Sequence, residues 1–165
     1  MDNFSEILEL DELYWYIGQK SKKETRENID VITMVSREPC QIVSFDVAED
    51  KSPERIQAIV NGAPDAKKFC TDGYLGYVDI VYLGEHIRSI RDKKDTFTVE
   101  GINADLRHYI PLLARKSRCF ARKLETLQMV LEMFVAAYNR FGVAKQKHRI
   151  LRPKGELPFG VVDFL

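Results

Sequence analysis

The run from Ile7 to Ile17 constrains this chain most. Ile7, Leu13, Trp15 and Ile17 share one face of an extended strand with Asp11. Leu8, Leu10, Tyr14 and Tyr16 share the other with Glu12. A strand that is apolar on both faces must be covered on both, so it belongs inside a sheet and not at its edge. The chain then needs a neighbouring strand on each side and a layer above and below. Its 165 residues suffice for one domain with a real core.

The following segments supply those neighbours. Gly18 to Asn28 is polar and reads as a turn. Ile29–Val35 and Gln41–Val47 are β-rich and joined by the turn Ser36-Arg37-Glu38-Pro39, which makes an antiparallel meander with the first strand. A helix follows, with Ser52 as N-cap, Pro53 at its first position, Ile56, Ile59 and Val60 as its apolar stripe, and Asn61-Gly62 as its stop. Lys67–Thr71 reads as a short strand, expected to run parallel to its predecessor. A short helix is expected over Tyr74–Tyr82 and a fifth strand over His86–Ile90.

Val99, Ile102, Leu106, Ile110 and Leu113 then repeat at helical spacing, with Pro111 as the break. The last helix carries Leu124, Leu127, Leu131, Phe134, Tyr138 and Phe141, closed by Gly142. The order predicts an α/β fold of ribonuclease-H-like architecture, a mixed five-stranded sheet flanked by helices. Residues 1–143 would form that domain, and 144–165 a basic, then apolar tail on or beyond it.

Within this frame three carboxylates stand out: Asp11 in the first strand, Asp72 at the end of the fourth, and Glu100 at the start of the third helix-forming stretch. An aspartate in a strand buried on both faces is expensive unless an ion pair or a cation compensates it. A second aspartate on a neighbouring strand worsens the repulsion, and a divalent ion reverses it. Mg²⁺ prefers carboxylate oxygen, and two such ions about 3.5–4 Å apart suit phosphoryl transfer. Each residue also has a plainer use. Asp72, followed by Gly73, is placed to cap a helix, the commoner role for an aspartate there. Glu100 in a first helical turn is favoured by the helix dipole. Asn103 and Arg107 share the face of Glu100, with Arg107 about 10 Å along the axis at roughly 1.5 Å per residue. A polar stripe of this kind is commonly a solvated face.

Net charge is zero, but residues 104–154 hold twelve Lys or Arg against three Asp or Glu, a balance of +9 that leaves −9 elsewhere. Such asymmetry suits a polyanion-binding end, or equally basic residues near helix C-termini. Cys40, Cys70 and Cys119 lack metal-ligand spacing and read as reduced, mostly buried thiols of a cytoplasmic protein. His86, His108 and His148 are too scattered for a zinc site. No apolar run reaches the length of a membrane span, and the start, Met1 to Glu6, has no signal-peptide pattern.

Three stretches resemble the catalytic polypeptide of the insertion-sequence-1 family of bacterial DDE transposases. They are Asp11-Glu12-Leu13-Tyr14-Trp15-Tyr16-Ile17-Gly18-Gln19-Lys20, then Thr71-Asp72-Gly73-Tyr74 with His86 downstream, then Val99-Glu100-Gly101-Ile102-Asn103-Ala104-Asp105-Leu106-Arg107-His108 running on through Leu113 to Lys123. The resemblance extends from about residue 7 to the Asp163-Phe164-Leu165 end. It implies a ribonuclease-H-like fold and DNA strand transfer with two Mg²⁺ ions, for which Mn²⁺ would substitute. The acidic triad would fall on Asp11, Asp72 and Glu100 as catalytic and metal-binding residues. Asn103, Arg107, Arg115, Lys116, Arg118 and Lys123 would contact DNA. Glu12, pointing to the opposite face, would not replace Asp11; His86 would serve the core or support the site. Tyr14, Trp15 and Tyr16 would be core residues.

Family members also carry an N-terminal DNA-binding region, in some encoded by an upstream frame, and this chain begins just before the first catalytic strand. A second-frame product, a truncated remnant and a trimmed piece would each read this way. The expected partners are DNA, further copies of the chain on that DNA, and such an N-terminal polypeptide, with no membrane. Two rivals stay open: a nuclease of the same fold that cuts without joining, and a non-catalytic DNA-binding remnant that regulates transposition.

Overall fold

The computed structural model describes residues 4–18, 27–90, 93–115 and 119–141. Its fold is α/β, with a mixed five-stranded sheet flanked by helices. The strands are β1 (Phe4–Ile17), β2 (Glu27–Ser36), β3 (Gln41–Ala48), β4 (Asp65–Thr71) and β5 (Glu85–Arg88). The helices are α1 (Pro53–Gly62), α2 (Phe97–Tyr109) and α3 (Leu124–Phe141). The sheet order is β3-β2-β1-β4-β5. β1, β2 and β3 form the expected antiparallel meander, and β1 is interior.

Each face of β1 has its own core. Leu13, Trp15 and Ile17 pack with Ile29, Val31, α2 and α3. Leu8 and Leu10 pack with Ile32, Met34, α1 and Tyr77. Pro53 opens α1 after Ser52, although the Ser52 hydroxyl makes no capping bond. α2 ends at Tyr109, and Pro111 begins a 3-10 turn through Leu113. Gly142, expected to close α3, and the 144–165 tail lie outside the described residues.

Three expectations are corrected. β4 does run parallel, but its partner is β1 and not β3. β3 already pairs with β2, while β1 needs a second neighbour to cover its flank, and α1 carries the chain across to it. The expected Tyr74–Tyr82 helix reduces to a 3-10 turn over Leu75–Tyr77. Its buried side chains are Tyr77 and Ile80 alone, a single turn's worth of stripe. Of the cysteines only Cys70 is buried; Cys40 is intermediate and Cys119 exposed, and none forms a disulfide. Among the described residues, no helix is long and apolar enough to cross a membrane.

The pairing lengths of β1 position the site. β2 accompanies it from Leu8 to Ile17, but β4 accompanies it only from Phe4 to Leu10. Beyond Leu10, paired with Thr71, the β4 flank of β1 is open.

Candidate active site

A cleft of about 760 Å³ opens where β4 stops. β1 contributes Asp11 and Glu12, the end of β4 contributes Asp72, and α2 contributes Glu100, Asn103 and Arg107. Asp30, Lys51 and Arg115 complete its charged lining. Crevices at the carboxyl ends of parallel strands are the usual ligand sites of open α/β sheets.

Oxygens of Asp11, Glu12 and Asp72 all lie within 4.8 Å of one another. Glu12 therefore joins the group from which alternation was expected to exclude it. It does leave β1 on the opposite face from Asp11. Side chains of adjacent residues are kept apart by a sheet only where a neighbouring strand stands between them, and past Leu10 there is none on this flank. Glu100 lines the same cleft but stands outside that close group.

Each carboxylate is held differently. Asp11 Oδ2 accepts a hydrogen bond from Asn103 Nδ2 at 3.0 Å, and Asn103 Oδ1 accepts one from the Thr33 hydroxyl at 3.0 Å. Asn103 is only 7% exposed, yet it lines the cleft, and from there it orients Asp11. Asp72 Oδ1 accepts from the Tyr74 backbone N–H at 2.8 Å. Asp72 thus closes a local turn and caps no helix, because the 3-10 turn that follows has Tyr74 at its N-cap position and no side-chain cap, and its carboxylate stays on the cleft. Burial pushes the Glu12 carboxyl up to about 6; Lys51 and Tyr77 pull it down, while Asp11 and Asp72 add to the rise. The Tyr77 hydroxyl faces Glu12, yet neither it nor Glu12 Oε1 completes a hydrogen bond of good geometry.

Three cations share the lining with its five carboxylates. Lys51 Nζ is 3.4 Å from Asp30 and 3.9 Å from Glu12. Burial opposes its charge, but Glu12 and Asp30 outweigh burial and hold its pKa above the usual lysine value. Burial, then the neighbouring Arg115, lowers the pKa of Arg107, and Asp11 opposes them. Arg107 remains cationic. Its Nη2 reaches the Tyr14 carbonyl at 3.5 Å, and its buried Nε has no partner.

No family model matches the chain, and no curated protein matches its sequence.

Other expected residues fall elsewhere. Lys123 sits with Ile17, Glu27 and Glu49 in a separate depression, roughly 20 Å along β1 from Asp11 at about 3.3 Å per residue. Lys116 and Arg118 lie outside the described residues. His86 is half-buried, hydrogen-bonded to the Thr71 hydroxyl at 2.9 Å and stacked on Tyr82, and does not line the cleft. Trp15 and Tyr16 are core residues, but Tyr14 is 51% exposed because no β4 residue covers that stretch of β1.

Glu9 was missed. It is fully buried; its Oε1 accepts from Arg37 Nε at 2.7 Å, and its Oε2 accepts from the Thr98 and Val99 N–H groups at 2.7 and 2.8 Å. A carboxylate from β1 thereby caps the helix that carries Glu100. The signal was present in the sequence: a glutamate between Leu8 and Leu10 in a strand with no solvent face.

Proposed function

We propose that this chain is a DDE-type transposase of the insertion-sequence-1 kind, on a ribonuclease-H-like fold, performing metal-dependent phosphoryl transfer on DNA. One observation carries the reading: carboxylates 61 residues apart, Asp11 and Asp72, converge in one cleft with Glu100 beside them and Arg107 and Arg115 on its wall. The donor set is all carboxylate oxygen, which fits a hard cation such as Mg²⁺, or Mn²⁺ in its place. Asp11, Asp72 and Glu100 would hold two such ions. When bound, they supply Lewis-acid activation of a phosphodiester and of the water or 3′-hydroxyl that attacks it.

The chain's own residues do the rest. Asn103 and Thr33 fix the Asp11 carboxylate, and the Tyr74 amide fixes Asp72. Glu9 anchors the start of α2 and with it Glu100. Arg107 and Arg115 would receive backbone phosphates, contacts that position DNA without reading its sequence. DNA is the partner, joined by further copies of the chain on the element ends, in the cytoplasm.

The test is Asp72→Asn. Mg²⁺-dependent cleavage of DNA should fall by at least about a hundredfold, with the circular dichroism spectrum unchanged. Undiminished cleavage would overturn the assignment. Incubating wild type with an oligonucleotide bearing a free 3′-hydroxyl and a plasmid target separates the rival: a transposase yields joined product, and a nuclease yields only cuts.

A further inference from the structure

Glu12 poses a physical problem that the triad leaves unsolved. Its carboxylate shares a 4.8 Å neighbourhood with those of Asp11 and Asp72, and like charges this close repel strongly. Lys51 answers this only in part, because it stands nearer Asp30 than Glu12. Beneath the group lies a second, independent feature. Tyr77 is 0% exposed and its hydroxyl faces Glu12, yet neither that hydroxyl nor Glu12 Oε1 completes a hydrogen bond of good geometry. Buried polar atoms in that state are rare and call for an explanation. Opposite oxygens around a Mg²⁺ ion stand about 4 Å apart, so small side-chain rotations bring the three carboxylates onto one ion. A ligating carboxylate is in turn held by a hydrogen bond to its other oxygen, and Tyr77 is placed to give it.

We propose that Glu12 is a divalent-cation ligand alongside Asp11 and Asp72, with the Tyr77 hydroxyl as the donor that holds it, so that these three carboxylates form the first cation site and Glu100 serves a second. The inference rests on the metal-dependent reading above and divides its acidic residues in a new way. Lys51 then keeps Asp30 as its partner.

The experiment is a Mn²⁺ titration of the full chain without DNA, followed by calorimetry and by loss of the free-Mn²⁺ paramagnetic signal. Tyr77→Phe should weaken the tightest site by about tenfold and Glu12→Gln by more, since even outer-sphere partners of metal ligands are worth about 10- to 100-fold. Glu100→Gln should leave that site nearly as it was. Wild-type affinity in Glu12→Gln with affinity lost in Asp72→Asn would overturn the role of Glu12 and leave the phosphoryl-transfer reading standing. No Mn²⁺ binding by wild type, or binding unchanged in Asp72→Asn, would overturn both. If Glu12→Gln does not fold, Glu12→Asp withdraws the oxygens by one methylene while keeping the charge. Wild-type affinity in that variant would equally overturn the proposal.

Discussion

Glu9 joins three elements with one side chain, and its removal shows what the join is worth. Arg37 stacks over Phe97 at 4.6 Å and donates to the Asp95 carbonyl at 3.1 Å, so the guanidinium is fixed whether or not Glu9 remains. Glu9→Ala would leave that cation facing a buried gap and two helix amides uncapped, a loss of about 3–5 kcal/mol measurable by urea denaturation. Glu9→Gln, which still offers an oxygen to the amides, should lose less. His86 gives a pH signature of its own. Burial first, and Arg88 second, depress its pKa, so the folded state favours the neutral ring. The unfolded histidine takes up its proton at about pH 6.5, before the folded one does. Stability is therefore unaffected by this residue above that pH and falls as pH drops through it toward the lower folded value. Thermal melts in steps from about pH 7.5 to 5.5, bracketing the ordinary histidine pKa, should show a smaller decline in His86→Asn than in wild type.

At the scale of elements, the edge strand β3 is closed by a side chain. Asn139 of α3 accepts the Ile42 N–H at 3.0 Å and donates to the Ile42 carbonyl at 2.8 Å, as a neighbouring strand would. The register between β2 and β3 shifts at Met34/Val35, next to this point. Asn139→Ala should cost about 1–3 kcal/mol by leaving both backbone groups without partners, read as a lowered melting temperature. The meander and α3 were legible because apolar patterning persists over seven or more residues in each, and α1 because Ser52-Pro53 and Asn61-Gly62 bracket its short stripe of Ile56, Ile59 and Val60. The segment after Asp72 was not, because Tyr77 and Ile80 are one turn apart and support no longer helix. The partner of β4 was misread from sequence proximity, although the two apolar faces of β1 already called for a strand on its second flank. Asp11, Asp72 and Glu100 could be picked out as residues, but their convergence, and the entry of Glu12, depend on where β4 stops. No local pattern encodes that.

The whole molecule sets an acidic floor against cationic walls. Five carboxylates and three Lys or Arg line the cleft, while the +9 balance of residues 104–154 begins on its α2 side. A phosphate backbone approaching from that side meets Arg107 and Arg115 before it meets the acids. Arg115→Gln should lower the slope of log affinity against log salt by about 0.9, the loss of one phosphate contact, as read by fluorescence anisotropy with duplex DNA. The unequal pairing of β1, seven residues longer than the reach of β4, has a consequence of its own. The notch is a property of length and not of composition. Two residues inserted after Thr71 would carry the ladder past Asp11 and Glu12 and displace Asp72 from them, with the register of β1 on β2 unchanged. The acidic cleft and the core are thus governed by separable parts of one sheet, and a change of spacing at the end of β4 alters the first without touching the pairing of β1 with β2.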